Sequence, residues 1–385
     1  MSVTHDVIVV GAGPAGAAAA RAARAAGLSV ALIDKARFPR DKLCGGGITG
    51  RCRTHLDETF GPGFAAELCL TTTHVRLTDR GRCLGDLPDA PPIHMTMRRD
   101  FDAALADAAL AAGAEPFLGR RIAAADPAGA TLTLAGGLQL AGHVLIGADG
   151  VASPTAKALF GRAFDTRRTA LALEVEVPDR AGTAVEIDLA AIPHGYGWDF
   201  PKAGGRTLGL GGIGRQSDDL RTALAAFLAP RGAGAALDTC KGAFLPAGDF
   251  RRVPGRGRAL LAGDAAGLVD PITGEGIGWA IRSGALAAAA AAAAIAADDP
   301  ASALSRYRAA LAPVHRELRW AGLLKHAVYA PPLRPLFLRA LEREPAIQRR
   351  FLALLAGERD YADMGLGSLR RMAERLLRAA FARAA

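Results

Sequence analysis

Gly11-Ala12-Gly13-Pro14-Ala15-Gly16 decides the fold, because it stands between an apolar run, Asp6 to Val10, and an alanine-rich segment, Pro14 to Ala26. The run suits a buried strand, and the alanines suit a helix that starts as the glycines end. In that setting Gly11 permits a tight turn, Gly13 lets a pyrophosphate approach the backbone, and Gly16 lets helix and strand pack closely. Pro14 and Ala15 open the helix, whose N-terminus offers unpaired N–H groups to phosphates. A second apolar run, Leu28 to Ile33, ends at Asp34, about where the acidic partner of an adenosine ribose is expected. Together these residues predict a dinucleotide-binding strand-turn-helix.

Gly209-Leu210-Gly211-Gly212-Ile213-Gly214 spells the same GxGxxG pattern, but Arg215-Gln216-Ser217-Asp218-Asp219 follows it rather than a helix of small apolar residues. It reads as a glycine-rich strand where side chains would crowd a ligand or a neighbouring backbone. No separate nicotinamide-binding unit is evident.

Two later segments say which dinucleotide. Val144-Leu145-Ile146 leads into Gly147-Ala148-Asp149-Gly150, and Ala259-Leu260-Leu261-Ala262 leads into Gly263-Asp264. Each is a buried-strand run that delivers an aspartate to a strand's C-terminal edge, where open α/β sheets bind ligands. Asp270-Pro271-Ile272-Thr273-Gly274-Glu275-Gly276 follows, then Ile277. In this order the three motifs resemble those of FAD-dependent oxidoreductases of the para-hydroxybenzoate hydroxylase type. The resemblance implies that Asp149 lies beside flavin, that Gly263 and Asp264 hold the ribityl chain, and that Gly274, Gly276 and Ile277 border the isoalloxazine. Arg98, in Arg98-Arg99-Asp100-Phe101-Asp102, matches a further FAD-contacting arginine.

Within that superfamily, Phe38-Pro39-Arg40-Asp41-Lys42-Leu43-Cys44-Gly45-Gly46-Gly47 resembles the proline-arginine, then cysteine-glycine-glycine loop of the geranylgeranyl reductases. Gly195-Tyr196-Gly197-Trp198-Asp199-Phe200-Pro201-Lys202 resembles their aromatic element, which lines a lipid pocket near the flavin. The resemblance implies that Lys42, Cys44, Gly45 and Gly46 border the cofactor and that Tyr196, Trp198 and Phe200 contact substrate. It further implies a prenyl-lipid or prenylquinone substrate and an external electron donor, NAD(P)H or a ferredoxin. Chlorophyll-type reductases usually continue the cysteine loop with alanine, isoleucine and proline; here the chain has Gly47-Ile48-Thr49-Gly50, which disfavours a chlorophyll side chain. A flavin monooxygenase or halogenase shares all three FAD motifs, and a flavoprotein that binds a prenyl lipid without redox chemistry would keep the aromatic wall; the Cys44 loop favours the reductase.

The residue types suit the chemistry. Reducing an isolated alkene takes a hydride equivalent, a proton and a site that excludes water from a long apolar chain. Cys44, flanked by glycines, is a candidate acid or a pocket-shaping residue; the bland alternative is a small inert hydrophobe. Tyr196, Trp198 and Phe200 alternate along a strand, so they share one face.

Composition sets the frame. A chain of 385 residues, 50% hydrophobic, can bury a large core. The N-terminus runs straight into the first strand, so no signal peptide is expected. Five cysteines without a CxxC pair predict neither a disulfide framework nor a metal site. The expected fold class is α/β: a Rossmann-like FAD-binding domain (1–69, 98–168 and 255–300), an inserted mixed-sheet substrate domain (70–97 and 169–254), and a C-terminal helical region (301–385). The alanine run from Gly284 to Ala297 reads as a buried helix, since alanine transfers weakly into lipid. Residues 301–385 carry 16 Lys/Arg against 7 Asp/Glu, a net charge equal to the whole chain's +9. No nucleic-acid recognition motif accompanies that charge. Leu369, Met372, Leu376, Leu377 and Phe381 form a helical stripe with Arg371, Arg375 and Arg378 on other faces. Either it packs on the enzyme's own body or it meets anionic lipid, giving a cytoplasmic protein with peripheral contact at the inner membrane face.

Overall fold

Val7 to Val10 are almost completely buried, because the first strand is covered on both faces and flanked on both edges. The computed structural model of the protein describes residues 2–178, 182–214, 217–331 and 333–361. Strand β1 (Ser2–Val10) runs parallel to β2 (Val30–Asp34) on one side and to β11 (Gln139–Gly147) on the other. Beyond them lie β8 (Glu115–Leu118) next to β2 and β18 (Ala259–Leu261) next to β11, both parallel. The short β17 (Gly255–Arg256) closes one edge, and β9 (Ile122–Asp126) with β10 (Thr131–Leu134) adds an antiparallel extension to β11. The three motif turns therefore follow β1, β11 and β18, which neighbour one another at one end of this sheet.

Helix α1 (Pro14–Ala25) packs against α6 (Ile277–Ala296), and small residues make the approach close. A Cβ at Gly284 would overlap the Ala15 carbonyl, so the alanine-rich face of α6 lies directly on the alanine-rich α1. The helix is long and apolar enough to cross a membrane by length and composition, yet more than half of it is buried against protein. Its Ser283 hydroxyl accepts the Gly263 N–H at 2.9 Å, tying the helix to the third motif. Helices α2 (Gly50–Phe60), α3 (Arg98–Ala111) and α4 (Pro154–Phe160) complete this lobe.

A seven-stranded sheet forms the second lobe. Its order is β16 (Lys241–Leu245), β12 (Ala170–Val177), β15 (Gly205–Ile213), β14 (Gly195–Lys202), β13 (Val185–Asp188), β5 (Val75–Asp79) and β6 (Arg82–Leu87). Helix α5 (Ser217–Leu228) covers one face with Leu220, Leu224 and Phe227. The segment 70–97 divides: β5 and β6 join this sheet, whereas β4 (Cys69–Thr72) and β7 (Ile93–Thr96) pair with β3 (Gly47–Ile48) in a separate three-stranded sheet. That small sheet carries the chain from the Cys44 loop toward the second lobe. Gly209 and Gly211 lie within β15, antiparallel to its neighbours, so the second GxGxxG is strand. A helix does come after it, α5 (Ser217–Leu228).

The C-terminal region is helical through α7 (Ala303–Ala310), α8 (Ala312–Tyr329), α9 (Arg334–Arg343) and α10 (Pro345–Leu355). Phe337, Leu341 and Phe351 pack against Val75, Leu77 and Ile187 of the second sheet. The arginine-flanked stripe from Leu369 to Phe381 lies outside the described residues.

Candidate active site

The glycine-rich turn has the shape a pyrophosphate needs. Gly11 has φ +98°, and a Cβ there would overlap the Ala148 carbonyl of the second motif, so the two turns touch backbone to backbone. A Cβ at Gly16 would overlap the Gly11 carbonyl. Gly13 caps α1 with no side chain bonded to the first-turn N–H groups, which stay available to an anion with Pro14 and Ala15 at the mouth. Asp34 accepts the Ala12 N–H at 2.8 Å and the Ala36 N–H at 2.8 Å, so its carboxylate is fixed beside the turn with lone pairs to spare. A guanidinium nitrogen of Arg40 lies 3.4 Å from the Cβ position of Gly13 and 3.1 Å from Asp102.

The two strand-end aspartates look alike in sequence and differ in space. Asp149 accepts from the Ser153 hydroxyl and from the Thr155 N–H at 2.9 Å, so both of its oxygens organise the start of α4. What its segment offers a ligand is backbone. The Asp264 carboxylate, by contrast, accepts no hydrogen bond from a described residue, and stands 3.5 Å from the Cβ position of Gly276. A partly buried carboxylate left without a partner is what a ribityl hydroxyl would satisfy. Asp264→Ala is expected to weaken FAD binding by about 1.5–3 kcal/mol, the range for a hydrogen bond to a charged group. Flavin fluorescence titration checks this; unchanged affinity would remove Asp264 from the cofactor site.

Asp270 to Gly276 forms a tied loop. Asp270 accepts the Ile272 N–H at 2.7 Å, the Tyr196 hydroxyl donates to the Thr273 carbonyl at 2.7 Å, and the Tyr329 hydroxyl donates to the Ile272 carbonyl at 2.6 Å. Gly274 has φ +73°, and its Cβ position lies 2.8 Å from the Tyr196 hydroxyl. Gly276 then caps α6, and Ile277 begins it, buried. The aromatic strand β14 thus touches the third motif at one end.

At its other end β14 carries the cysteine turn. The Cβ position of Gly45 lies 2.8 Å from the Phe200 ring and 3.8 Å from the Trp198 indole nitrogen; a Cβ at Gly46 would overlap the Thr96 carbonyl of β7. The glycines are required because aromatic rings and a strand backbone close on both sides. The Cys44 Sγ accepts the Gly46 N–H at 3.3 Å, and its thiol faces the Arg98 guanidinium. Arg98 is buried and bonds Asp102 through two nitrogens at 2.6 and 2.8 Å, so it is neither solvated nor mobile. Lys42 sits half-buried on the same loop. Tyr196, Trp198 and Phe200 share one face of β14, with ring centroids 5.9 and 6.3 Å apart. Trp198 is only 5% exposed and lies over Gly209 and Gly211, while Tyr196 and Phe200 are half-buried. A separate open cavity of about 810 Å³ lies on the other face of this sheet, among Glu186, Asp188, Arg206 and Arg231, and holds none of these residues.

Several groups here escaped sequence reasoning. Glu174 of β12 accepts the Trp198 indole N–H at 3.1 Å; burial raises its carboxyl, opposed by the nearby Lys202 charge. Burial likewise lowers the Lys202 ammonium, which donates to the Gly45 carbonyl. Arg51 stacks on Trp279 at 4.7 Å and lies 3.7 Å from Glu275 and 3.0 Å from Asp360. Thr49 caps α2 and donates to Glu275 at 3.0 Å. Only Lys202 left a sequence signal, being in phase with the aromatic row.

Burial pushes the Glu275 carboxyl up to about 7, against the lowering effect of Arg51. The folded chain therefore binds this proton more tightly than the unfolded one, where the group titrates near 4.5. Its stabilising contribution is full below the unfolded value and is lost as pH rises through the folded one. Relative to Glu275→Gln, the parent is expected to lose up to roughly 3 kcal/mol between about pH 4.5 and about pH 8. Urea unfolding of both proteins across that range tests this, and a constant difference would contradict it.

A family model described as FAD dependent oxidoreductase matches residues 6–158. The menaquinone reductase of Mycobacterium tuberculosis strain H37Rv is 31% identical over 320 residues, covering 74% of this chain and 75% of that protein. Digeranylgeranylglycerophospholipid reductase 1 of Methanopyrus kandleri is 32% identical over 331 residues, covering 79% of this chain and 84% of that protein. The chain belongs to the geranylgeranyl reductase family of FAD-dependent oxidoreductases. Its fold matches the crystal structure of a geranylgeranyl bacteriochlorophyll reductase-like protein from Thermoplasma acidophilum, with TM-score 0.77, 22% identity, and coverage of 97% of this chain and 100% of that one.

The residues present fit the cofactor of this reductase family: an uncapped helix N-terminus, a fixed Asp34 and an Asp264 without a partner among the described residues lie at or just after the ends of β1, β2 and β18 of one sheet. FAD would be held by Gly11, Gly13, Ala15, Gly16, Asp34 and Arg40 at its pyrophosphate and adenosine end, and by Gly263, Asp264, Gly274 and Gly276 at its flavin end. When bound and reduced, it supplies a hydride equivalent. Of the chain's own residues, Tyr196 and Phe200 bring half-buried rings toward the glycine turn, and Cys44 carries a thiol on that turn.

Proposed function

We propose that this reductase-family member saturates C=C bonds in the geranylgeranyl or other polyprenyl chain of a lipid or quinone. The observation that carries the reading is the packing of the Cys44-Gly45-Gly46 turn onto Phe200 and Trp198. It sets the Cys44 turn against two aromatic rings. An alkene needs both, since the hydride and the proton must reach adjacent carbons in a dry site. The relatives named as reductases of menaquinone and of digeranylgeranylglycerophospholipid support the substrate class. The electron donor in this reading is NAD(P)H or a ferredoxin. The protein is cytoplasmic and meets its lipid at the inner membrane face through the basic C-terminal region, whose net charge equals the chain's whole excess of +9.

Anaerobic incubation of dithionite-reduced enzyme with prenyl lipids and prenylquinones tests the reading by mass spectrometry. Products heavier by successive pairs of hydrogens are expected. Product that appears only in air, carrying oxygen or halogen, would transfer the assignment to an oxygenase or halogenase.

A further inference from the structure

Glu174 and Lys202 stand directly behind the Cys44 turn and have no part in the cofactor or substrate contacts described above. Strand register brings them there. Glu174 on β12 is opposite Gly209 on β15, and Gly209 is opposite Trp198 on β14. A Cβ at Gly209 would overlap the indole, so this glycine opens the lane by which Trp198 crosses β15 to reach Glu174. The carboxylate uses both oxygens: Oε2 accepts the indole N–H at 3.1 Å, and Oε1 accepts the Cys44 backbone N–H at 3.4 Å. Lys202, further along the aromatic face of β14, donates to the Gly45 carbonyl. The turn is thus gripped at the N–H that enters Cys44 and at the carbonyl that leaves Gly45.

Both side chains are buried, and no ion pair among the described residues joins one to the other. Burying an acid and an amine is costly unless each is hydrogen-bonded. Here their hydrogen bonds go to one turn and to the ring that packs on it.

We propose that Glu174 and Lys202 are positioning residues that clamp the Cys44-Gly45-Gly46 turn onto the aromatic row and so set where the Cys44 thiol stands in the site. The catalytic consequence rests on the reductase reading. The clamp itself needs no substrate, so the two can fail separately. Removing Glu174 frees the Cys44 N–H and the indole N–H together, whereas removing Lys202 frees only the Gly45 carbonyl.

The test is the rate of iodoacetamide alkylation at Cys44 in full-length, FAD-loaded protein, resolved by peptide mass spectrometry, with the exposed Cys83 as internal control. Glu174→Ala is expected to speed alkylation of Cys44 roughly tenfold, as loss of a charge-assisted hydrogen bond allows, and to leave Cys83 unchanged. In anaerobic turnover it lowers kcat more than it raises KM. Glu174→Gln keeps the shape but only one acceptor oxygen, so it satisfies one of the two N–H groups and is expected to fall between the parent and Glu174→Ala in both readings. Lys202→Met acts in the same direction and keeps the test decisive if Glu174→Ala does not fold. Equal Cys44 alkylation in the parent, Glu174→Ala and Lys202→Met overturns the clamp. So does faster alkylation in Glu174→Ala with slower alkylation in Lys202→Met, because the change would then follow charge and not the hydrogen bonds. Faster alkylation in a protein whose parent reduces no prenyl lipid would sink the reductase reading and leave the clamp standing.

Discussion

Cys44→Ala is expected to keep FAD bound and to slow oxidation of the reduced flavin by a prenyl substrate by roughly 10²–10⁴, the usual loss when an acid–base group is removed. The structure gives the physical basis. Cys44 is the thiol on a turn whose glycines are closed upon by Phe200 on one side and by the Thr96 carbonyl on the other. Its Sγ accepts the Gly46 N–H near the buried Arg98, so the sulfur has a fixed position. Alanine preserves the backbone and the small volume. FAD content should therefore match the parent's, and substrate affinity should change little. Stopped-flow decay of reduced-flavin absorbance under anaerobic conditions reads the effect. A parental rate with flavin bound would make Cys44 a packing residue, and the proton would have to come from another group.

The second large effect is expected at Trp198. Its indole is packed on Gly209 and Gly211, touches Gly45 and donates to Glu174, so truncation removes contacts with two strands and one loop. Trp198→Ala is expected to cost about 3–5 kcal/mol of unfolding free energy, the range for deleting a buried large aromatic side chain. It should also raise KM more than it lowers kcat, because pocket surface contributes alike to ground and transition states. Chemical denaturation and steady-state kinetics separate the two parts. A variant as stable as its parent would show that the indole is not a packed element of the sheet face. Unaltered kinetics in a destabilised variant would place the ring in the core alone, leaving Tyr196 and Phe200 as the substrate-facing rings.

The contrast between Asp149 and Asp264 marks how far local sequence reaches. Both follow a buried apolar strand and a small residue, and that pattern fixes their place at the C-terminal edge of the sheet. The pattern does not say which other groups arrive there. Ser153 and Thr155 claim the Asp149 carboxylate, while Asp264 has no hydrogen-bond partner among the described residues, and only the chain's path after each strand distinguishes them. Arg98 lies between the two cases: resemblance marked it as a site residue and its bidentate bond to Asp102 is an i,i+4 pair within α3, but its approach to Cys44 comes from how α3 packs.

By itself the sequence determined the strand-turn-helix at Gly11 to Gly16, the order of the three motifs and the shared face of Tyr196, Trp198 and Phe200. Those features depend on positive-φ turns and on periods of a few residues, which are local properties of the chain. Tertiary structure alone decided that Glu174, Gly209 and Trp198 form one row, that Lys202 reaches Gly45, and that Arg51, Thr49 and Glu275 meet beneath the third motif. Cross-strand register and lobe packing pair residues far apart along the chain, and a buried charge carries no local pattern that announces its partner.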